Sequence, residues 1–215
     1  MGVCAQDQIA LQRRPPSAVL VGRETELAVL RDAVSNPPAL VTLVGEAGIG
    51  KSRLVRELLE ENPGDGCLLL GRCHQVRDPF PLGPVVEALR AVAGDVPARS
   101  LSPLVGALRP LLPELSRCLP DEPAPLADPR AQRHRTFRAL RELLDALGAT
   151  VCVLEDLHWA DGETLEFLSF LLSEPPRQLA LVLTYRSEEL DPVRGSGHEN
   201  SRSNGEWVCI DRKKE

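Results

Sequence analysis

The run Gly45-Glu46-Ala47-Gly48-Ile49-Gly50-Lys51-Ser52 is the most specific signal in this chain of 215 residues. It fits G-x-x-x-x-G-K-[ST], the pattern of a phosphate-binding loop, in which glycines let backbone N–H groups approach phosphate oxygens. The Lys51 ammonium would reach the β- and γ-phosphates, and the Ser52 hydroxyl would bind Mg²⁺. An apolar run, 40–44, precedes the loop, and apolar residues recur at helical spacing over 54–59. We therefore expect a buried strand, the loop, and a helix whose positive dipole end faces the phosphates.

The overall composition excludes several other functions. A net charge of -6 and a pI near 5.4 argue against non-specific nucleic-acid binding by this chain alone, and 3% aromatic residues oppose stacking on single strands. The six cysteines include no C-x-x-C pair, which favours free thiols over a disulfide framework. No apolar run approaches the roughly 20 residues that span a membrane, and the N-terminus lacks a signal-peptide core. We expect a cytoplasmic protein without membrane contact.

Beyond the loop, short apolar strands alternate with amphipathic helices. This alternation predicts an α/β fold, a parallel sheet with helices on both faces, and the phosphate-loop pattern at 45–52 makes it a fold of the P-loop NTPase type. Eight prolines between residues 94 and 129 exclude a long helix there, so we expect a small Pro-rich helical insertion that packs on the sheet domain. A long helix should follow at about 129–147. The strand candidates are 40–44, 67–70, 151–154 and 179–184.

Polar residues end the third and fourth predicted strands, at the sheet edge that also carries the loop. One carboxylate of the Glu155-Asp156 pair should hold Mg²⁺, directly or through water, and the other could polarise an attacking water. A cation at Arg186 could sense the γ-phosphate through charge-assisted hydrogen bonds. The candidate catalytic residues are therefore Glu155, Asp156 and Arg186, and the candidate metal ligands are Ser52, Glu155 and Asp156. A solvated acidic strand end and an ordinary surface arginine are the plainer alternatives.

These residues together resemble the nucleotide-binding domain of the signal-transduction ATPases with numerous domains, a branch near the AAA+ ATPases. The resemblance is closest to the large ATP-binding LuxR-type transcriptional regulators of actinobacteria. Val21-Gly22-Arg23-Glu24 resembles the family's N-terminal motif, which lies near the adenine. The run from Val153 to Asp161, which contains Glu-Asp-Leu-His-Trp-Ala-Asp, resembles its acidic strand and the signature after it. Thr184-Tyr185-Arg186 resembles the family's first sensor. The sequence departs from the family at Glu155, where many relatives have Asp.

The resemblance implies ATP and Mg²⁺ as ligands of a regulatory switch, in which ATP favours a self-associating state and slow hydrolysis resets it. Three other classes remain open: a working ATPase whose turnover matters in itself, as in AAA+ machines; an AAA+-like ATPase module of another multidomain protein, associated with a cyclase or kinase; and an inactive truncated or frame-shifted fragment. The candidate nucleotide-binding residues are Val21, Gly22, Arg23, Gly45, Glu46, Ala47, Gly48, Ile49, Gly50, Lys51, Ser52 and Arg53.

The domain organisation follows the same patterns. Residues 1–18 are expected to be a polar leader and 19–190 the ATPase domain, with the insertion at 94–129. The segment 191–215 is expected to be a polar tail, because 195–206 contains no apolar side chain. This tail is either a linker or an end that is not native to the domain. No fifth strand or helical lid of the kind the family carries is recognisable after residue 190.

Overall fold

The computed structural model describes residues 22–61, 66–91, 101–187 and 206–212. The expected leader and most of the expected tail lie outside these ranges. The strands are β1 (Ala39–Gly45), β2 (Cys67–Arg72), β3 (Thr150–Glu155), β4 (Leu179–Arg186) and β5 (Glu206–Arg212). The helices are α1 (Glu24–Ser35), α2 (Lys51–Glu61), α3 (Gly83–Arg90), α4 (Pro129–Ala146) and α5 (Gly162–Ser173). Short 3₁₀ helices cover Pro103–Leu108, Pro113–Leu115 and Leu157–Trp159.

The sheet is parallel throughout, with the strand order β2-β3-β4-β1-β5. Because all strands run in one direction, their carboxyl ends meet at one edge of the sheet. There Gly45 at the end of β1 lies in register with Arg186 of β4, and Arg72 of β2 lies in register with Glu155 of β3. Strand β4 lies between β1, which leads into the predicted phosphate-binding loop, and β3, which ends in the predicted metal ligand Glu155. The two predicted parts of the site therefore lie on opposite sides of β4.

Two apolar layers hold the sheet between helices. One layer combines α1 and α2 with side chains such as Val151 and Val153 of β3. The other combines α3, α4 and α5 with Cys152 and Leu154, the alternate residues of the same strand. Burial on both faces explains why the strands read as continuous apolar runs. The predicted fold class, a parallel α/β sheet of the P-loop type covered on both faces, is confirmed.

The Pro-rich insertion is folded into the second layer. Val105, Leu108, Leu112 and Leu115 are fully buried there. Gly106 lies so close to the following chain that a Cβ atom would stand 2.1 Å from the carbonyl oxygen of Asp121. The short 3₁₀ turns, in place of a long helix, follow from the proline spacing.

The strands extend further than their apolar runs, and one strand was not expected. β2, β3 and β4 continue to Arg72, Glu155 and Arg186, because hydrogen bonding to a neighbouring strand does not require an apolar side chain. The composition predicts no strand after residue 190, but Glu206–Arg212 pairs in parallel with β1. The segment contains a four-residue apolar run, 207–210, but the polar residues around it favour a linker over a strand.

Candidate functional site

The phosphate-loop sequence connects β1 to α2 in a conformation that requires its glycines. Gly48 and Gly50 have φ values of +76° and +99°, in the region that strains any side chain. No heavy atom lies within 4 Å of the position of an added Cβ at either residue, so backbone conformation and not packing demands glycine. The Gly50 carbonyl accepts from Arg53 N at 3.1 Å and Leu54 N at 3.0 Å, which starts α2. The amino end of this helix therefore faces the loop, the arrangement that favours anions.

The side chain of Lys51 is hydrogen-bonded to the backbone of its own loop. Its Nζ donates to the carbonyl oxygens of Gly45 at 2.6 Å and Glu46 at 3.0 Å. Lys51, Ser52 and Arg53 are all half-buried at the start of α2. The carbonyls neutralise part of the ammonium charge, and phosphate oxygens would be stronger acceptors at the same nitrogen.

The N-terminal motif contacts the loop directly. The Nη2 group of Arg23 donates to the Ile49 carbonyl at 2.5 Å, and its Nη1 lies 4.0 Å from the carboxylate of the buried Glu26. Gly22 takes a left-handed φ of +77°, and its N–H donates to Glu24 at 3.2 Å. Two segments that are 26 residues apart thus meet at the loop. Val21, the remaining member of that set, lies outside the described residues.

The two adjacent carboxylates lie in different surroundings. Glu155 is the last residue of β3 and only 3% exposed, on the face where α1 and α2 pack. Asp156 leaves the strand at once with φ 58° and ψ 44°, a left-handed conformation that aspartate tolerates. Its N–H donates to Oγ1 of the buried Thr184 at 2.9 Å, and its carbonyl accepts from Trp159 N at 2.9 Å. The two acids are therefore suited to different tasks.

Arg72 was not identified from the sequence, although it contacts the predicted metal ligand. Its Nε donates to Oε2 of Glu155 at 3.2 Å, and its Nη2 donates to the same oxygen. These hydrogen bonds raise the pKa of the Arg72 guanidinium. The other oxygen, Oε1, is buried and has no hydrogen-bond partner among the described residues. The available signal was position: Arg72 follows the run 67–70 by two residues, at the edge where the third strand ends.

Arg186 lies beside the loop. It ends β4 in register with Gly45, the first residue of the phosphate-loop pattern, and is half-buried. Burial raises the pKa of the neighbouring Tyr185. The structure thus brings Arg186 to the start of the loop from one side, and the β5 backbone at Arg212 aligns with Gly45 from the other.

The His-Trp-Ala-Asp signature forms a junction between strand and helix. Asp161 caps α5 by accepting from Thr164 N at 2.9 Å and from the Thr164 hydroxyl, and it also accepts from Leu82 N at 3.3 Å. It therefore ties the turn before α3 to the start of α5. The buried Cys73 lies in this region, and burial together with the charges of Asp161 and Asp156 raises the pKa of its thiol to about 12.

A nucleotide with Mg²⁺ suits these groups. In the described part of the chain, no cluster of three or more His, Cys, Asp or Glu side chains could hold a metal alone. Mg²⁺ does not need such a cluster, because it keeps several waters and is bound through one or two carboxylates plus phosphate oxygens. The buried Oε1 of Glu155 and the hydroxyl of Ser52 are oxygen donors of the required kind.

None of the helices within the described ranges is long and apolar enough to cross a membrane.

Comparisons with known proteins identify the fold and the family of this chain. The chain is 30% identical over 204 residues to an uncharacterized protein of Rhizobium meliloti (strain 1021), covering 80% of this chain but only 19% of that protein. The fold is similar to that of a Walker-type ATPase of Pyrococcus abyssi, with a TM-score of 0.51 at 19% identity, over 92% of this chain and 56% of the other. The model of the AAA ATPase domain matches residues 19–184. The chain therefore belongs to the AAA ATPase domain family, a family of nucleotide-binding domains with the P-loop fold.

Proposed function

We propose that this domain binds Mg-ATP and hydrolyses it slowly, as the switch module of a LuxR-type transcriptional regulator in the cytoplasm. The observation that carries the proposal is the Gly45–Ser52 loop: two glycines with left-handed φ values, the amino end of α2, and the Lys51 ammonium at the loop carbonyls. Backbone N–H groups and a cation that converge in this way are complementary to a chain of phosphates.

Each residue has a defined part in this proposal. Lys51 exchanges its two carbonyl acceptors for β- and γ-phosphate oxygens. Ser52 and Glu155 hold Mg²⁺, which supplies charge neutralisation at the phosphate oxygens when bound. Asp156, half-buried just beyond the strand, orients the attacking water and accepts its proton. Arg186, in register with Gly45, reads the γ-phosphate.

A regulatory role is supported by the resemblance of the 153–161 run to the regulator family and by the size of the relative. The chain spans 19% of the protein from Rhizobium meliloti, which leaves room for output domains in such proteins. A switch requires that its two states differ in affinity for the γ-phosphate. Arg186 and the acidic pair are the groups that would supply that difference, and the ATP-bound state would then self-associate.

The second candidate is an AAA+-like ATPase module of another multidomain protein, associated with a cyclase or kinase. The same length comparison is compatible with this second candidate. The relative contains the matching region as a small part of a longer chain, and the comparison does not say which output domains accompany it. Turnover separates a slow switch from a working ATPase, whichever output the module serves. Steady-state phosphate release near or above about 1 s⁻¹, the low end of ordinary enzyme turnover, would favour a working ATPase over a slow switch.

Binding of ATP to the Lys51→Ala variant tests the proposal. Charge-assisted hydrogen bonds contribute about 1.5–3 kcal/mol each, so losing the ammonium should weaken ATP binding by about 100-fold or more in an equilibrium titration with Mg²⁺. Arg56→Ala is the matched control, since it removes a cation from an exposed position on the same helix. It should leave the affinity unchanged. Equal affinities for the wild type and Lys51→Ala would contradict the proposal.

A further inference from the structure

The carboxylate of Glu155 is divided between two environments. Oε2 accepts both the Nε and the Nη2 hydrogen bonds of Arg72, whereas Oε1 is buried and accepts none from the described residues. A buried carboxylate oxygen without a partner is costly, and a site that retains one requires an explanation. A cation with its water shell, bound at Oε1, would supply the missing partner.

Arg72 and Glu155 reach each other because of the strand register. They are direct partners across β2 and β3. Each stands two residues after a side chain of the layer of α1 and α2, Leu70 on β2 and Val153 on β3. That layer contains α2, the helix that starts at Lys51. The ion pair therefore lies on the face of the sheet that carries the phosphate-loop helix.

The glutamate itself creates a need for positioning. A glutamate has one more side-chain torsion than an aspartate, so a free Glu155 would distribute its oxygens over more rotamers than the shorter acid would. Two hydrogen bonds from a planar guanidinium fix one oxygen and thereby the direction of the other. Substitution of a residue that orients a metal-binding side chain in this way typically lowers the metal affinity by about 10- to 100-fold.

An ordinary surface ion pair looks different. Arg90 and Glu114 form one at 3.0 Å, and both side chains are about half exposed, at 49% and 46%. In the Arg72–Glu155 pair the carboxylate side is 4% exposed. Only the second pair removes a carboxylate from water, so only there does the arginine determine how the acid is presented.

We infer that Arg72 is a positioning residue of this site: its guanidinium holds Oε2 of Glu155 so that Oε1 remains available to the magnesium of a bound nucleotide. The inference rests on the proposed function. It identifies Arg72 as the residue that determines which oxygen of Glu155 is presented to the metal.

The test measures how much Mg²⁺ the full chain needs to bind ATP. A fluorescent ATP analogue is titrated in EDTA and then at rising Mg²⁺ concentrations, for the wild type and for Arg72→Gln, Arg72→Lys and Arg90→Gln. Arg72→Gln should raise the half-saturating Mg²⁺ concentration by about 10-fold and leave Mg²⁺-free binding unchanged. Arg72→Lys, which keeps the charge but not the two-pronged contact, should raise it by a smaller factor, and Arg90→Gln should not change it.

Three results would overturn the inference. An unchanged Mg²⁺ requirement in Arg72→Gln, with only a lower urea midpoint, would make the pair merely structural. A lower requirement would make Arg72 a competing cation. If Arg72→Gln does not fold, Arg72→Lys takes its place, and a wild-type Mg²⁺ requirement in that variant would equally overturn the inference.

A Glu155→Asp background gives an independent measurement. The shorter side chain loses its reach to Arg72, so adding Arg72→Gln there should change the Mg²⁺ requirement by less than in the wild type. A full 10-fold effect in both backgrounds would contradict positioning through Glu155. Absence of ATP binding by the wild type, with Mg²⁺ or without, is a separate outcome and would overturn the proposed function itself.

Discussion

The contacts of Asp161, in the signature after the acidic strand, allow us to predict how much stability its substitution removes. Substitution of Asp161 by Ala removes the cap of α5, which costs about 1 kcal/mol in typical helices. It also removes the acceptor of the Thr164 hydroxyl and of Leu82 N–H. Thr164 is fully buried, so its hydroxyl would lose a partner without gaining water, at about 1–2 kcal/mol. The contact to Leu82 is long at 3.3 Å and adds less. We expect a total loss of about 3 kcal/mol.

Asp128 provides the matched control. It caps α4 by accepting from Arg130 N at 3.1 Å and Ala131 N at 3.3 Å, but it is exposed. Asp128→Ala should therefore cost only about 1 kcal/mol. Urea denaturation of both variants, followed by circular dichroism, gives the two free energies of unfolding, provided that the m-values stay equal. Equal losses for the two variants would refute the reasoning that buried contacts between elements make Asp161 special.

The remaining predictions concern the loop and the buried thiols. Gly50→Ala should destabilise the protein by about 1–2 kcal/mol because φ is +99°, and it should weaken ATP binding in the same titration; Gly162→Ala, which has similar open space but no positive φ, should do neither. Burial raises the thiol pKa values of Cys73 and Cys152 to about 12, so the folded state holds both protons more tightly than the unfolded state does. This contribution to the free energy of unfolding is complete below the unfolded pKa near 9 and is lost as pH rises towards 12. The urea midpoint should therefore be lower at pH 10 than at pH 8, and the difference should be smaller in Cys152→Ala. Equal midpoints at the two pH values would contradict the raised thiol pKa values.

The fold class and the glycine turns of the Gly45–Ser52 loop could be predicted because their signals are local. The loop pattern fixes its own geometry, and its glycines take the left-handed conformations that the pattern requires. The alternation of short apolar strands with amphipathic helices predicts a sheet covered on both faces, which is what the two apolar layers show. These features depend on a few neighbouring residues and not on the arrangement of the whole chain.

Arg72 and β5 could not be predicted because their signals are not local. The contact between Arg72 and Glu155 joins residues 83 positions apart and depends on the register of two strands. Nothing near Arg72 in the sequence shows that register. β5 contains a four-residue apolar run, 207–210, but it follows a long polar stretch, and its pairing with the distant β1 is not visible in the sequence. The separate surroundings of Glu155 and Asp156 likewise depend on the left-handed turn at Asp156.

Hydrogen exchange of the β1 strand and the phosphate loop tests the central claim most directly. Amide exchange over residues 39–54 is compared with and without Mg-ATP, in the wild type and in Lys51→Ala. The account predicts that Mg-ATP slows exchange in the loop and the first turn of α2 in the wild type, because backbone N–H groups there bind phosphate oxygens, and that Lys51→Ala shows no such protection. Unchanged exchange in the wild type on addition of Mg-ATP would contradict the claim that this loop binds nucleotide.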